Sequence, residues 1–233
     1  CPRNTRLPGP APSGSRRGAS VRVKTARGRK PSSTRWLQRQ LNDPYVQAAQ
    51  DAGYRSRAAF KLIELDARFG LFKGAKRVLD LGAAPGGWSQ VALERLAPGA
   101  VVVAVDVAEL EPLAGVSELQ LDALDMESLP AMQAALGGQA DLVLSDMAAP
   151  STGHAGTDHI RVMALCAAAL DIAEVILAAD GAFVAKVLKG GTERQLLERL
   201  KRGFAKVRHA KPPASRADSA EVYVVAQGFR GAP

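Results

Sequence analysis

The hydrophobic positions of this chain follow two patterns. Between Arg57 and Phe69, the residues Ala59, Phe60, Leu62, Ile63, Ala67 and Phe69 recur at the spacing of one helix face, and Gly70 ends the run. Elsewhere the apolar residues come in short unbroken runs ending in small or charged residues, as buried strands do. Those runs predict strands at 77–81, 100–105, 117–121, 140–145, 182–188, 205–210 and 220–227, with helices at 88–96, 127–136, 157–179 and 192–203. Three helical stretches precede them: 34–41, then 45–52 opened by Asp43-Pro44 and closed by Gly53, then 57–69 capped by Ser56. Strands alternating with helices predict an α/β fold, a mostly parallel twisted sheet with helices on both faces. The last two strands are joined by a loop alone, which predicts an antiparallel hairpin at one edge.

The other segments are organised around Val78-Leu79-Asp80-Leu81-Gly82-Ala83-Ala84-Pro85-Gly86-Gly87-Trp88. An apolar run, a turn of small residues and a helical pattern read as strand, tight loop and helix N-terminus. Glycine lets the backbone approach a ligand closely. The next strand ends in Asp106, where an acid can accept hydrogen bonds from ribose hydroxyls. A structural turn with no ligand shares the same features. The glycines at 82, 86 and 87 do not make the G-x-G-x-x-G of dinucleotide sites, and Pro85 stands among them. A nucleoside cofactor without a pyrophosphate, such as S-adenosylmethionine, fits better than NAD, which disfavours an oxidoreductase.

Charge changes the picture at the N-terminus. The chain carries a formal net charge of +8, but residues 1–60 hold 13 Lys/Arg against Asp43 and Asp51, and the remainder is slightly acidic. Residues 1–34 are rich in Arg, Gly, Ser and Pro with little to bury, so they are expected to be a disordered basic arm, with a globular domain over 35–233. Segregated positive charge suits a polyanion such as RNA, although a solubilising tail has the same composition. No apolar run approaches the length of a membrane span, and no secretion signal is visible, so no membrane partner and a cytoplasmic location are expected. Cys1 and Cys166 have no metal-like spacing, and no metal site is expected. Nothing suggests an obligate interface, so a monomer is expected.

Ligands of such sheets bind beyond the carboxyl ends of the strands, which makes strand-end residues the candidates. Asp146 follows the buried run 141–145, Asp122 follows the strand ending at Leu121, and Glu221 opens an apolar strand. Each could equally be a cap or a surface charge. Lys186 lies inside Ala182-Phe183-Val184-Ala185-Lys186-Val187-Leu188, where a lysine is costly unless paired. Lys61 sits beside the apolar stripe of its helix, and a lone helical lysine is ordinarily solvated. With the expected topology, Lys61, Asp146, Lys186 and Glu221 can converge. Two ammoniums and two carboxylates in one pocket suit chemistry on a hydroxyl: an ammonium can polarise the oxygen or, once neutral, take its proton, while an acid orients it. His154, His159 and His209 are scattered and read as surface or loop residues.

Several segments together resemble a known family. SSTRWLQRQLNDPYVQAAQ (32–50), YRSRAAFKLIELD (54–66), VLDLGAAPGGWSQV (78–91), VLSDMA (143–148), FVAKVLKG (183–190) and SRADSAEVYVVA (215–226) are similar to the FtsJ/RrmJ (RlmE) family of ribosomal RNA uridine 2′-O-methyltransferases. The resemblance implies a Rossmann-like S-adenosylmethionine-dependent methyltransferase sheet with an antiparallel edge strand. It also implies a catalytic Lys-Asp-Lys-Glu tetrad on Lys61, Asp146, Lys186 and Glu221, with Lys186 central. Cofactor contacts fall on Gly86, Trp88, Asp106, Asp122 and Asp146. The implied substrate is a uridine of 23S rRNA in the A-loop of the 50S subunit. Arg35, Arg55, Arg57 and Arg216 are candidate phosphate contacts. After the tip aspartate this chain reads Met147-Ala148-Ala149-Pro150 where the family often has Met-Ala-Pro-Asn, a departure on the substrate-side loop and not among the four charged residues. A methyltransferase of the same fold acting on tRNA or an mRNA cap, and a non-catalytic RNA-binding relative, are the competing readings.

Overall fold

The computed structural model describes residues 34, 37, 38, 40–190 and 194–231. The expected basic arm, apart from Thr34, lies outside them, as does Arg35. Helix α1 (Pro44–Ala52) begins where Asp43 accepts the Tyr45 amide at 3.0 Å and ends at Gly53, whose φ of 77° is left-handed. Helix α2 (Ala58–Phe69) follows. The expected Ser56 cap does not form: Arg57 takes the capping position without a side-chain bond. Ser56 instead packs against Gly87, where an added Cβ would collide with its Oγ.

Seven strands then build one sheet: β1 (Arg77–Leu81), β2 (Val101–Asp106), β3 (Val116–Gln120), β4 (Ala140–Ser145), β5 (Leu177–Leu188), β6 (Phe204–Ala210) and β7 (Glu221–Phe229). Their order is β3-β2-β1-β4-β5-β7-β6. Strands β1 to β5 pair in parallel, while β7 runs antiparallel to both β5 and β6. The hairpin of β6 and β7 thus forms one edge. The antiparallel member, β7, lies one place inside it because the chain passes out to β6 before returning beside β5. Between the strands run α3 (Gly87–Arg95), α4 (Leu129–Leu136, after a 3-10 turn at Met126–Ser128), α5 (Ala155–Ile176) and α6 (Arg194–Gly203). Helix α5 was expected through residue 179; it stops at Ile176 because Leu177 already pairs with Ala140 and is buried.

The sheet divides the core into two halves by the two-residue alternation of strand side chains. Leu79, Leu81, Val143, Phe183, Ala185, Val224 and Ala226 face a cluster that includes residues of α4, α5 and α6. Val78, Leu142, Leu144, Val184, Tyr223 and Val225 face a second cluster with α1, α2 and α3. That alternation fixes which charged residues share a side. Asp146 follows in phase with Leu142 and Leu144, Lys186 with Val184, and Glu221 with Tyr223 and Val225. All three fall on the side covered by α2, the helix that carries Lys61.

Candidate active site

Register brings the strand residues together. Lys186 pairs with Tyr223 and Leu188 with Glu221 across β5 and β7, while Ser145 pairs with Ala185 across β4 and β5. The Lys186 ammonium lies 2.8 Å from Asp146 Oδ1, donates to the Asp146 backbone carbonyl at 2.8 Å, and has Glu221 Oε1 at 3.9 Å. Lys61 donates to Glu221 Oε2 at 3.1 Å. Both lysines are only 6% exposed. The ordinary reading of Lys61 as a solvated helical lysine therefore fails. Helix α2 packs that face against β7, where a carboxylate 160 positions away meets it. The four residues form one continuous chain of opposite charges, which makes burial of both ammoniums tolerable.

Tyr223 completes the arrangement. Its hydroxyl donates to Asp146 Oδ1 at 2.7 Å, its ring lies 5.7 Å from the Lys61 ammonium, and Trp88 packs on it with ring centroids 5.7 Å apart. Burial raises the phenol far above its usual range, reinforced by the Asp146 and Glu221 charges, so it remains a neutral donor. Burial alone would also push Asp146 up. The Lys186 and Lys61 ammoniums, with hydrogen bonds from Lys186 and Tyr223, outweigh it and hold Asp146 below the usual carboxylate range, so it is ionised. Sequence reasoning passed over Tyr223, although it stands two residues after Glu221 and therefore on the same face.

A cavity of about 380 Å³ opens beyond the carboxyl ends of β1, β2 and β4. Gly82 and Ala84 line it on one side, Asp106 and Asp122 on another, and Asp146 and Met147 on the third. Gly82 must lack a side chain: its φ is 71° and a Cβ would come within 2.6 Å of Met147 Cγ and 2.9 Å of Met147 Cα. Asp106 ties the walls together, accepting from Ala84 N and Ala108 N, each at 2.9 Å. Asp122 accepts the Leu124 amide at 2.9 Å. Volume, apolar walls and two strand-end carboxylates fit a nucleoside-bearing cofactor. Gly86 and Trp88, expected among the cofactor contacts, do not line this cavity. Trp88 turns into the other half of the core and donates its indole N–H to Ala58 O at 2.8 Å, and Gly86 lies under the Arg55 side chain.

A second, polar cavity of about 350 Å³ lies on the far side of the tetrad, lined by Arg57, Lys61, Arg216, Ser219 and Glu221 among others. Asp43 holds both arginines: Arg216 Nε donates to its Oδ2 at 3.1 Å, and Arg57 Nε forms an ion pair with the same oxygen at 3.2 Å. Arg57 also donates to the Ala214 carbonyl, and Glu64 accepts the Ala214 amide at 2.6 Å, so the β6–β7 loop is pinned to α2. Arg216 Nη2 is buried with no hydrogen-bond partner among the described residues. Arg55 is not part of this group, because backbone carbonyls on the opposite side of the glycine turn take up its guanidinium. Among the described residues, no His, Cys, Asp or Glu group could hold a metal ion, and no helix is long and apolar enough to cross a membrane.

Residues 54–229 match the model of the FtsJ-like methyltransferase family, and this span contains the whole tetrad and both cavities except Gln40. The chain belongs to the FtsJ-like methyltransferase family. It is 57% identical over 231 residues to the ribosomal RNA large subunit methyltransferase E of Paramagnetospirillum magneticum, covering 97% of this chain and 95% of that relative. It is 60% identical over 232 residues to the protein of the same name from Rhodospirillum rubrum, covering 98% and 88%. Among solved structures, a ribosomal RNA methyltransferase from Plasmodium falciparum superimposes with a TM-score of 0.68 at 30% identity, covering 77% of this chain and all of that one. The seven-stranded sheet is thus a Rossmann-like methyltransferase fold, and this FtsJ-like protein is an enzyme of methyl transfer.

Proposed function

We propose that this methyltransferase transfers a methyl group from S-adenosylmethionine to the ribose 2′-hydroxyl of a uridine in 23S rRNA, within the large ribosomal subunit. One observation carries the reading: the tetrad stands between two cavities. Asp146 lines the nucleoside-sized one, Lys61 and Glu221 line the polar one, and Lys186 touches both acids. A donor in the first and an acceptor in the second would meet at Lys186. The names of the relatives, ribosomal RNA large subunit methyltransferases, support the choice of RNA.

S-adenosylmethionine, when bound, supplies an activated methyl on a sulfonium. Asp106 and Asp122 suit its hydroxyl and base groups, and Asp146 is the tetrad member that lines this cavity. The chain's contribution to the chemistry begins with holding donor and acceptor in line, worth on the order of 7–11 kcal/mol. Two of the three Lys186 N–H groups are directed to Asp146. The third is left for the substrate oxygen, whose developing negative charge the ammonium would stabilise as the methyl leaves sulfur for oxygen; as a neutral amine the same nitrogen would instead accept the hydroxyl proton. Asp146 and Glu221 fix the two lysines, and Lys61 adds positive field on the substrate side. Arg57 and Arg216 add positive charge to the lining of the polar cavity, which favours the RNA backbone there. Such contacts place the RNA without reading its sequence.

The test is methyl transfer from labelled S-adenosylmethionine to unmethylated large subunits, compared with free rRNA and tRNA. The proposal expects labelled 23S rRNA, with the label on a uridine ribose. Labelled tRNA alone would assign another substrate, and cofactor binding without any transfer would make the chain a non-catalytic RNA-binding relative.

A further inference from the structure

Arg55 is a basic residue of the N-terminal helical region, two positions before Arg57, and by charge alone would be counted with the RNA contacts. Its surroundings say otherwise. Nη1 donates to Glu111 O at 2.6 Å and to Pro85 O at 3.3 Å, and Nη2 donates to Pro112 O at 2.9 Å. Pro85 belongs to the glycine turn after β1. Glu111 and Pro112 belong to the segment that leaves β2, which begins with the cavity residue Val107. The Arg55 backbone is anchored as well: its amide donates to Gln90 Oε1 at 2.8 Å, and Gln90 Nε2 donates to Gly53 O at 3.0 Å. The side chain crosses Gly86, where a Cβ would lie 2.9 Å from Nη1 and 3.2 Å from Cδ. Gly86 is thus shaped to admit this arginine. The same two segments are joined from the cavity side by Asp106, through Ala84 N and Ala108 N.

We propose that Arg55 is a positioning residue for the methyl donor: it straps the glycine turn to the segment after β2 and so holds two walls of the donor cavity at binding distance. This rests on reading that cavity as the S-adenosylmethionine site. A planar guanidinium can reach carbonyls on two loops at once because its donors leave in fixed, diverging directions; a lysine ammonium is a single point. Without the strap the walls must be ordered by the ligand, and that ordering lowers affinity. The carbonyls of Pro85, Glu111 and Pro112 already occupy the guanidinium, so it is not presented to a phosphate.

The experiment compares the full chain with Arg55→Lys and Arg55→Ala. Titration calorimetry reads affinity for S-adenosylmethionine, methyl transfer at saturating cofactor reads kcat, and binding of an rRNA fragment over a salt series reads phosphate contacts. The strap predicts that both variants weaken cofactor binding by about tenfold or more, raise its KM similarly and leave kcat at saturation within a few-fold. The salt slope of RNA binding stays unchanged. A phosphate contact predicts the reverse: cofactor affinity is retained, and in Arg55→Ala the slope falls by about one, with Arg55→Lys near the parent. That result, or unchanged cofactor affinity in a folded Arg55→Lys, overturns the proposal. If the parent protein itself binds no S-adenosylmethionine, the reading of the cavity fails instead, and the two failures are told apart by the parent titration. Arg55→Lys keeps the charge and most of the side-chain packing, so it remains informative if Arg55→Ala does not fold.

Discussion

Tyr223 and Lys186 converge on a single oxygen: the phenol donates to Asp146 Oδ1 at 2.7 Å, and the Lys186 ammonium lies 2.8 Å from the same atom. The two are paired across β5 and β7, so sheet register sets this convergence. Asp146 is thereby held in one orientation between the two cavities, with its backbone carbonyl also engaged by Lys186.

Tyr223→Phe tests that relationship with little change in packing. The ring keeps its place against Trp88 and beneath Lys61, and only the hydrogen bond to an ionised carboxylate is lost, worth about 1.5–3 kcal/mol. Asp146 is depressed, so the tetrad is intact above its folded pKa and is lost as pH falls through it. Removing a donor moves that point upward. A pH profile of kcat is expected to show a lower plateau and an acid limb displaced to higher pH. An unmoved acid limb would show that the Tyr223 hydroxyl does not set the state of Asp146.

Asp80 has the opposite behaviour. It is fully buried on β1, and burial pushes its carboxyl up to about 7, against a hydrogen bond from Ser89 and with the Asp146 and Asp106 charges adding to the rise. Ser89 Oγ donates to Oδ2 at 2.7 Å, and Oδ1 has no partner among the described residues. In the unfolded chain the group ionises near 4. Between those values the folded protein retains a proton that the unfolded chain has released, so stability falls as pH rises from about 4 to about 7. Asp80→Asn removes the titration. Thermal unfolding at pH 5 and pH 8 is expected to show the variant gaining Tm relative to the parent at the higher pH. An equal offset at both would contradict the raised carboxyl.

Arg216→Ala addresses the polar cavity. If Arg216 meets a phosphate, affinity for rRNA falls for all sequences alike, and the slope of log K against log salt drops by about one. Binding titrations at several salt concentrations measure this. Loss of affinity for one sequence only would indicate a base contact instead.

Much of this arrangement could be read in the chain, and the exceptions have physical reasons. The strands ending at Leu81 and Ser145 show as apolar runs because both faces of a parallel sheet are covered. Lys186 drew notice because a lysine in such a run requires partners. Lys61 drew notice only through the expected convergence with the strand ends, since its helix position by itself resembles an exposed one and its partner Glu221 arrives through tertiary packing. Trp88 and Gly86 occur in the glycine segment, but the turn's path sends one toward Tyr223 and the other under Arg55. Direction of that kind depends on backbone angles that composition does not encode. Arg55 and Arg57 illustrate the same limit, being adjacent in charge pattern while their guanidiniums serve opposite cavities. Sequence periodicity did carry enough to find Tyr223, through its place in phase with Glu221.

In the proposed function Lys186 acts at the acceptor oxygen, while the donor cavity binds cofactor independently of it. The most direct measurement is transfer to large ribosomal subunits by Lys186→Met, alongside its affinity for S-adenosylmethionine. Loss of roughly 10²–10⁴-fold in rate, with cofactor affinity near that of the parent, is the predicted result. Near-normal transfer by a variant that still binds cofactor would contradict it.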